Sequence, residues 1–146
     1  MSTFKLLGQK IADGRGVQID PNTLGSANVV IVNVPCLSSV YVGAAVRMDS
    51  GGTAQNAIAD SLANANVIGI VESKDGLNLC NIRVLGVSAS IFAGLDVTKE
   101  YFLSDSVAGQ ITTTSPTTTG HVMLKLGQPF SATEFLVNKG QQVVRL

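Results

Sequence analysis

VIGIVESKDGLNLCNIRVLGV, residues 67–87, is the stretch on which the fold class turns. Val67 to Ser73 is an almost unbroken apolar run of strand length, which belongs at the centre of a sheet. Leu79 to Val87 alternates instead. Cys80, Ile82 and Val84 fall on one side and Asn81 and Arg83 on the other, the two-residue period of a half-buried strand. Asp75 and Gly76 stand between the runs and tolerate the positive φ of a tight turn. The segment therefore reads as a β-hairpin.

The same texture extends outward. In VYVGAAVRM, 40–48, the residues Val40, Val42, Ala44, Val46 and Met48 share one predicted strand face, opposite Tyr41, Gly43, Ala45 and Arg47. HVMLKLG, 121–127, sets Val122, Leu124 and Leu126 against Met123 and Lys125, and Gly127 lets the chain turn out of that strand. QQVVRL, 141–146, closes the chain in the same style. Ser50-Gly51-Gly52 and Asn138-Lys139-Gly140 supply turns between such runs. Tyr101 to Leu103 and Gln110 to Thr112 form a further predicted hairpin across Ser104 to Gly109. The fold class expected is all-β: a small antiparallel β-barrel or sandwich, a β-meander, with an extended N-terminal arm.

Two segments differ from that pattern. TAQNAIADSLANAN, 53–66, is rich in Ala, and its Asn and Asp residues compete with helix, so the expectation is a strand to about Ala59 followed by one helical turn. Residues 1–28 carry Phe4, Leu6 and Leu7, then Asp13-Gly14-Arg15-Gly16, then a polar connector containing Pro21. They read as an arm with a small hairpin, and the domain proper spans 29–146, beginning at the strongly apolar VVIVNV.

Composition narrows the function. A chain of 146 residues suits one domain with a core of its own. Ten Lys and Arg balance ten Asp and Glu and are scattered singly, so there is no basic stripe to displace counterions from a phosphate backbone, and nucleic acid is not an expected partner. Five Phe, two Tyr and no Trp fit thin β layers better than a large ligand pocket. A surface so poor in charge has little protection against self-association, which makes oligomerisation the default expectation. No run approaches the roughly 18 apolar residues that cross a bilayer, and MSTFKLLGQK lacks the layout of a signal peptide. Assembly in cytoplasm, away from membrane, is the expectation.

Chemistry is hard to place. One histidine, His121, and two cysteines, Cys36 and Cys80, do not make a four-ligand zinc site, and the carboxylates form no calcium loop, so no metal or cofactor is expected. Two buried free thiols are the commoner state of such a cysteine pair, with a bridge as the alternative. GVSAS, 86–90, lacks the closing glycine of G-x-S-x-G, which leaves Ser88 without the setting of a nucleophile. Asp60 and Glu72 flank one hairpin and are expected to meet at most as a solvated pair. The chain reads as a non-enzyme. The hydroxyl-rich TTTSPTTTG, 112–120, is either a plain solvated loop or a contact surface of donors and acceptors that escapes the desolvation penalty of charges.

The succession GAAVRMDSGG, AIADS, VIGIVES, YFLSDSVAGQITTTSP and GHVMLKLGQPFSATEFLV resembles small structural proteins of tailed-bacteriophage virions, both head decoration (cement) proteins and tail-fibre modules. The likeness covers about residues 40–146, and none of its motifs is catalytic. Pro129 departs from it, standing where these proteins more often have a small residue. The resemblance implies a virion protein, often a homotrimer, that binds the major capsid protein on the outer head. The alternative it implies is a tail component that attaches to a host-surface glycan. Candidate contacts are Phe4, Leu6 and Leu7 of the arm, Ser50, Gly51 and Gly52, and the loop residues Thr112, Thr113, Thr114, Pro116, Thr117, Thr118 and Thr119. Phe130 and Phe135 are expected to anchor one end of the barrel.

Overall fold

The computed structural model describes residues 28–146, and among these the chain is all-β with no helix. The strands in chain order are β1 (Val29–Pro35), β2 (Ala45–Met48), β3 (Ala54–Asn56), β4 (Gly69–Gly76), β5 (Leu79–Val87), β6 (Tyr101–Leu103), β7 (Ile111–Thr112), β8 (Val122–Met123), β9 (Lys125–Pro129), β10 (Phe135–Val137) and β11 (Val143–Val144). The main sheet runs β3-β2-β4-β5-β10-β9-β6-β7, with β1 added on β5, and β8 and β11 form a separate small ladder. All named pairs are antiparallel, and the sheet curls into a half-barrel.

β5 is the spine. Its first part lies between β4 and β1, and its last residues, Gly86 and Val87, pair with β10. One strand thus serves both halves of the curl, as its length of nine residues allows. The central position expected for 67–73 holds: Ile70 and Val71 are both fully buried, and they enter different cores on opposite faces. The core inside the curl gathers Ile70, Leu103, Leu126 and Phe135, together with Val122 and Leu124. Tyr101 meets the Phe135 ring edge-on at 5.8 Å between centroids, a preferred aromatic geometry. The second core packs Val46, Val71, Cys80 and Ile82 against Val34 and Val40.

Among the described residues the open side of the half-barrel is fastened by irregular backbone. Ala45 N donates to Gly109 O (2.8 Å), Gly109 N to Ala57 O (2.6 Å), Ala59 N to Ser104 O and Val122 N to Ala59 O (both 2.9 Å). The turn between β6 and β7 is thereby fastened to β2 and to the chain leaving β3. Buried backbone groups need partners, and this seam supplies them.

Several local expectations are corrected. Residues 40–44 are not strand: Gly43 takes φ +93° and Ala44 N bonds back to Tyr41 O, so β2 starts at Ala45 and Val42 points to solvent. The turn after β4 falls at Leu77-Asn78, because register shifts after Val71 and Lys74 insert residues into β4 and carry it through Gly76. β3 ends at Asn56, short of Ala59, since Ala57 and Ala59 spend their backbone bonds on the seam. One helical turn does follow, closed by Ala65 N to Ser61 O at 3.0 Å. Gly127 lies inside β9 and does not end a strand. Phe135 is buried as expected, but Phe130 is 65% exposed at the tip of the β9–β10 hairpin. Glu72 pairs with Arg83 at 2.9 Å and Asp60 accepts from Asn64, so those two carboxylates do not form a pair.

Candidate interaction surface

β1 is the element whose placement departs most from its sequence. A run as apolar as VVIV belongs in a core, yet Val29, Val30, Ile31 and Val32 are 37–61% exposed. The cause is position. Among the described residues β1 joins the sheet on one edge only, opposite Leu79 to Leu85 of β5, and the side chains of Val29–Val32 belong to neither core. Val34 alone turns inward to the second core. Asn33 separates the two parts with φ 57°, a left-handed conformation that Asn tolerates, and its N–H bonds Asn81 Oδ1 at 3.0 Å. Val29 stands opposite Leu85, which is also exposed, so the apolar patch spreads onto the sheet face.

The Ser50-Gly51-Gly52 turn joins β2 to β3 and is exposed. Asp49 holds it rigidly: its Oδ1 accepts from Gly51 N (2.8 Å) and Thr53 N (3.0 Å), while Gly52 adopts φ 81°. This is an Asx-type turn, in which the carboxylate mimics a backbone carbonyl.

The hydroxyl loop follows β7. Thr113, Thr114, Thr117, Thr118 and Thr119 are exposed, Thr112 is half-buried, and Pro116 is buried beneath them. Arg145 ties the loop down from the C-terminal ladder, with Nε donating to Pro116 O at 2.7 Å and Nη2 to Ser115 Oγ at 3.2 Å. His121 N donates to Thr118 O, and the His121 ring meets Asp105 at 2.9 Å, fixing the far end. Five threonines thus stand on a constrained frame. Phe4, Leu6 and Leu7 lie outside the described residues.

Three remaining groups have structural settings. Ser88 is buried; its Oγ accepts from Phe135 N (3.0 Å) and donates to Ala89 O (2.8 Å), bolting β5 to β10. Cys36 and Cys80 are free and buried. Burial first, and then a hydrogen bond with Cys36, pushes the Cys80 thiol up to about 12. A cleft of about 350 Å³ lies between Leu62, Val67, Leu124 and Lys139, and two of its polar side chains are engaged: Lys139 bonds Val67 O and Gln142 bonds Leu62 O. Among the described residues no three His, Cys, Asp or Glu side chains gather as a metal site would require.

The sequence reading missed β1 as a surface. Its signal was present, four successive β-branched residues without alternation, but that pattern serves a strand buried on both faces equally well. Compared with family models, curated proteins and solved structures, the chain matches none.

Proposed function

We propose that this chain is a structural protein of a tailed-bacteriophage virion: a head decoration, or cement, protein that binds the outer surface of the major capsid protein as a homotrimer and stabilises the shell. The observation that carries the adhesive part of this reading is the exposed apolar strand Val29–Val32 beside Leu85, a patch that a soluble protein covers in its working state. The virion assignment is supported by the resemblance of residues 40–146. The Asp49-held turn and the Arg145-held threonine loop supply rigid, neutral contact points that need no charge to be desolvated. Stabilisation follows from linkage: a ligand of the assembled shell lowers its free energy by RT ln(1 + [L]/Kd), about 2.7 kcal/mol at a hundredfold excess over Kd.

The test is the copy number of the chain in purified particles, with the melting temperature of shells lacking it measured before and after the protein is added. Hundreds of copies and a raised melting temperature are expected. A few dozen copies and no effect on the shell overturn the head assignment. The tail reading, attachment to a host-surface glycan, is favoured by one observation, the exposure of Phe130 and Tyr41, since saccharides stack on aromatic rings. Neither ring lines the cleft described above. Binding on a saccharide array without affinity for shells selects that reading.

A further inference from the structure

We infer that β1 is a self-pairing edge, to which a second copy of this chain adds its own β1 antiparallel. The inference needs the exposed strand and does not need the virion assignment.

The strand has three sides to cover. Among the described residues its second edge takes no hydrogen-bond partner, and both faces of Val29–Val32 carry exposed aliphatic side chains. Natural sheets guard such edges with lysine, an inward charge or proline within the strand. From Val29 to Val34 there is no charge and no proline. An occupant must therefore supply backbone donors and acceptors, be apolar on both faces and bring no charge, since a charge set against this strand would lose its water without a counter-ion.

β1 itself meets those conditions. Val-Val-Ile-Val reads nearly alike in either direction, so a two-fold axis between Val30 and Ile31 places Val30 opposite the partner's Ile31 and Val29 opposite the partner's Val32. Every cross-strand pair is then β-branched on β-branched, a favourable combination, and no like charges face each other. Register is limited at the far end, because the left-handed bend at Asn33 interrupts the ladder and Pro35 offers no N–H. Two-fold pairing of identical surfaces is also the commonest symmetry of protein assemblies. The result is one sheet continuous through two molecules, with the exposed Leu85 of each chain one strand back from the join. A threefold axis uses a different surface, and β1 then links one trimer to the next.

The experiment uses the full chain, without shells. Sedimentation is expected to give an even number of copies. Ile31→Lys, which sets an uncompensated charge against the partner's Val30, is expected to halve the mass and weaken association by about tenfold or more, with the circular dichroism and melting temperature of the subunit retained. Val30→Cys and Ile31→Cys proteins mixed under mild oxidation are expected to cross-link to each other far more than either does alone. A monomer at high concentration, a trimer indifferent to Ile31→Lys, or equal cross-linking in the single-variant samples overturns the pairing. So does protection from hydrogen exchange, in a dilute monomer, of those Val29–Val32 amides that point away from β5, which means that the chain covers its own edge. Shell binding is read separately, so loss of self-pairing and loss of the decoration role remain distinguishable.

Discussion

Gly127 sits inside β9 with φ 147°, and a Cβ there would come within 2.0 Å of the Leu136 carbonyl oxygen across the β9–β10 ladder. Backbone cannot yield as a side-chain tip can, so Gly127→Ala is expected to destabilise by about 3 kcal/mol or more, or to prevent folding. Gly76→Ala, where a Cβ meets nothing within 4 Å, is the control and is expected to stay within about 0.5 kcal/mol in a urea titration. The thiol of Cys80 offers a second test at this scale. Its folded pKa of about 12 lies above the ordinary thiol value. The native state therefore keeps a proton that the unfolded state has released, and unfolding free energy falls as pH rises. The stabilisation is whole below the unfolded pKa and is lost as pH rises toward the folded one. Unfolding curves across that range are expected to show a steeper loss than in Cys80→Ala.

Among elements, the threonine loop shows how a stretch of low propensity becomes a defined surface. Threonine, serine and a proline give no reason for a single conformation, and in the sequence the run was equally a solvated connector. What orders it comes from 30 residues away: Arg145, carried just past β11, donates to Pro116 O and to Ser115 Oγ. Arg145→Ala is expected to speed hydrogen exchange of the amides of residues 113–119 while lowering global stability by only about 1–2 kcal/mol. Unchanged exchange would mean that Pro116 packing alone holds the loop. β1 teaches the converse. Its strand character was legible from composition, yet its exposure follows from being the edge partner of β5, and edge position is a property of the assembled sheet.

At the scale of the molecule, the half-barrel depends on the seam at Gly109. This residue has φ 82°, bonds Ala57 and Ala45 through both of its backbone groups, and would carry a Cβ only 3.0 Å from Asn56 Oδ1 and 3.1 Å from Ala44 Cβ. Gly109→Ala is expected to cost about 1–3 kcal/mol, and denaturant unfolding should report it as an earlier midpoint with unchanged slope if the curl opens only on global unfolding. A shallower slope with early exposure of Tyr101 fluorescence would show the seam yielding first.

Period and punctuation in the sequence determined the β class, the β4–β5 and β6–β7 hairpins and the shared inward face of Val122, Leu124 and Leu126, because each depends only on neighbours a few bonds apart. The fold decided what no local pattern encodes. Register shifts moved the β4–β5 turn to Leu77-Asn78, Gly127 met the backbone of Leu136 from the next strand, and VVIV was left at a rim instead of in a core. The physical reason is that burial belongs to the neighbours a residue acquires when the sheet curls, and a run of valines is equally strand-forming whether the next surface is its own core or another molecule.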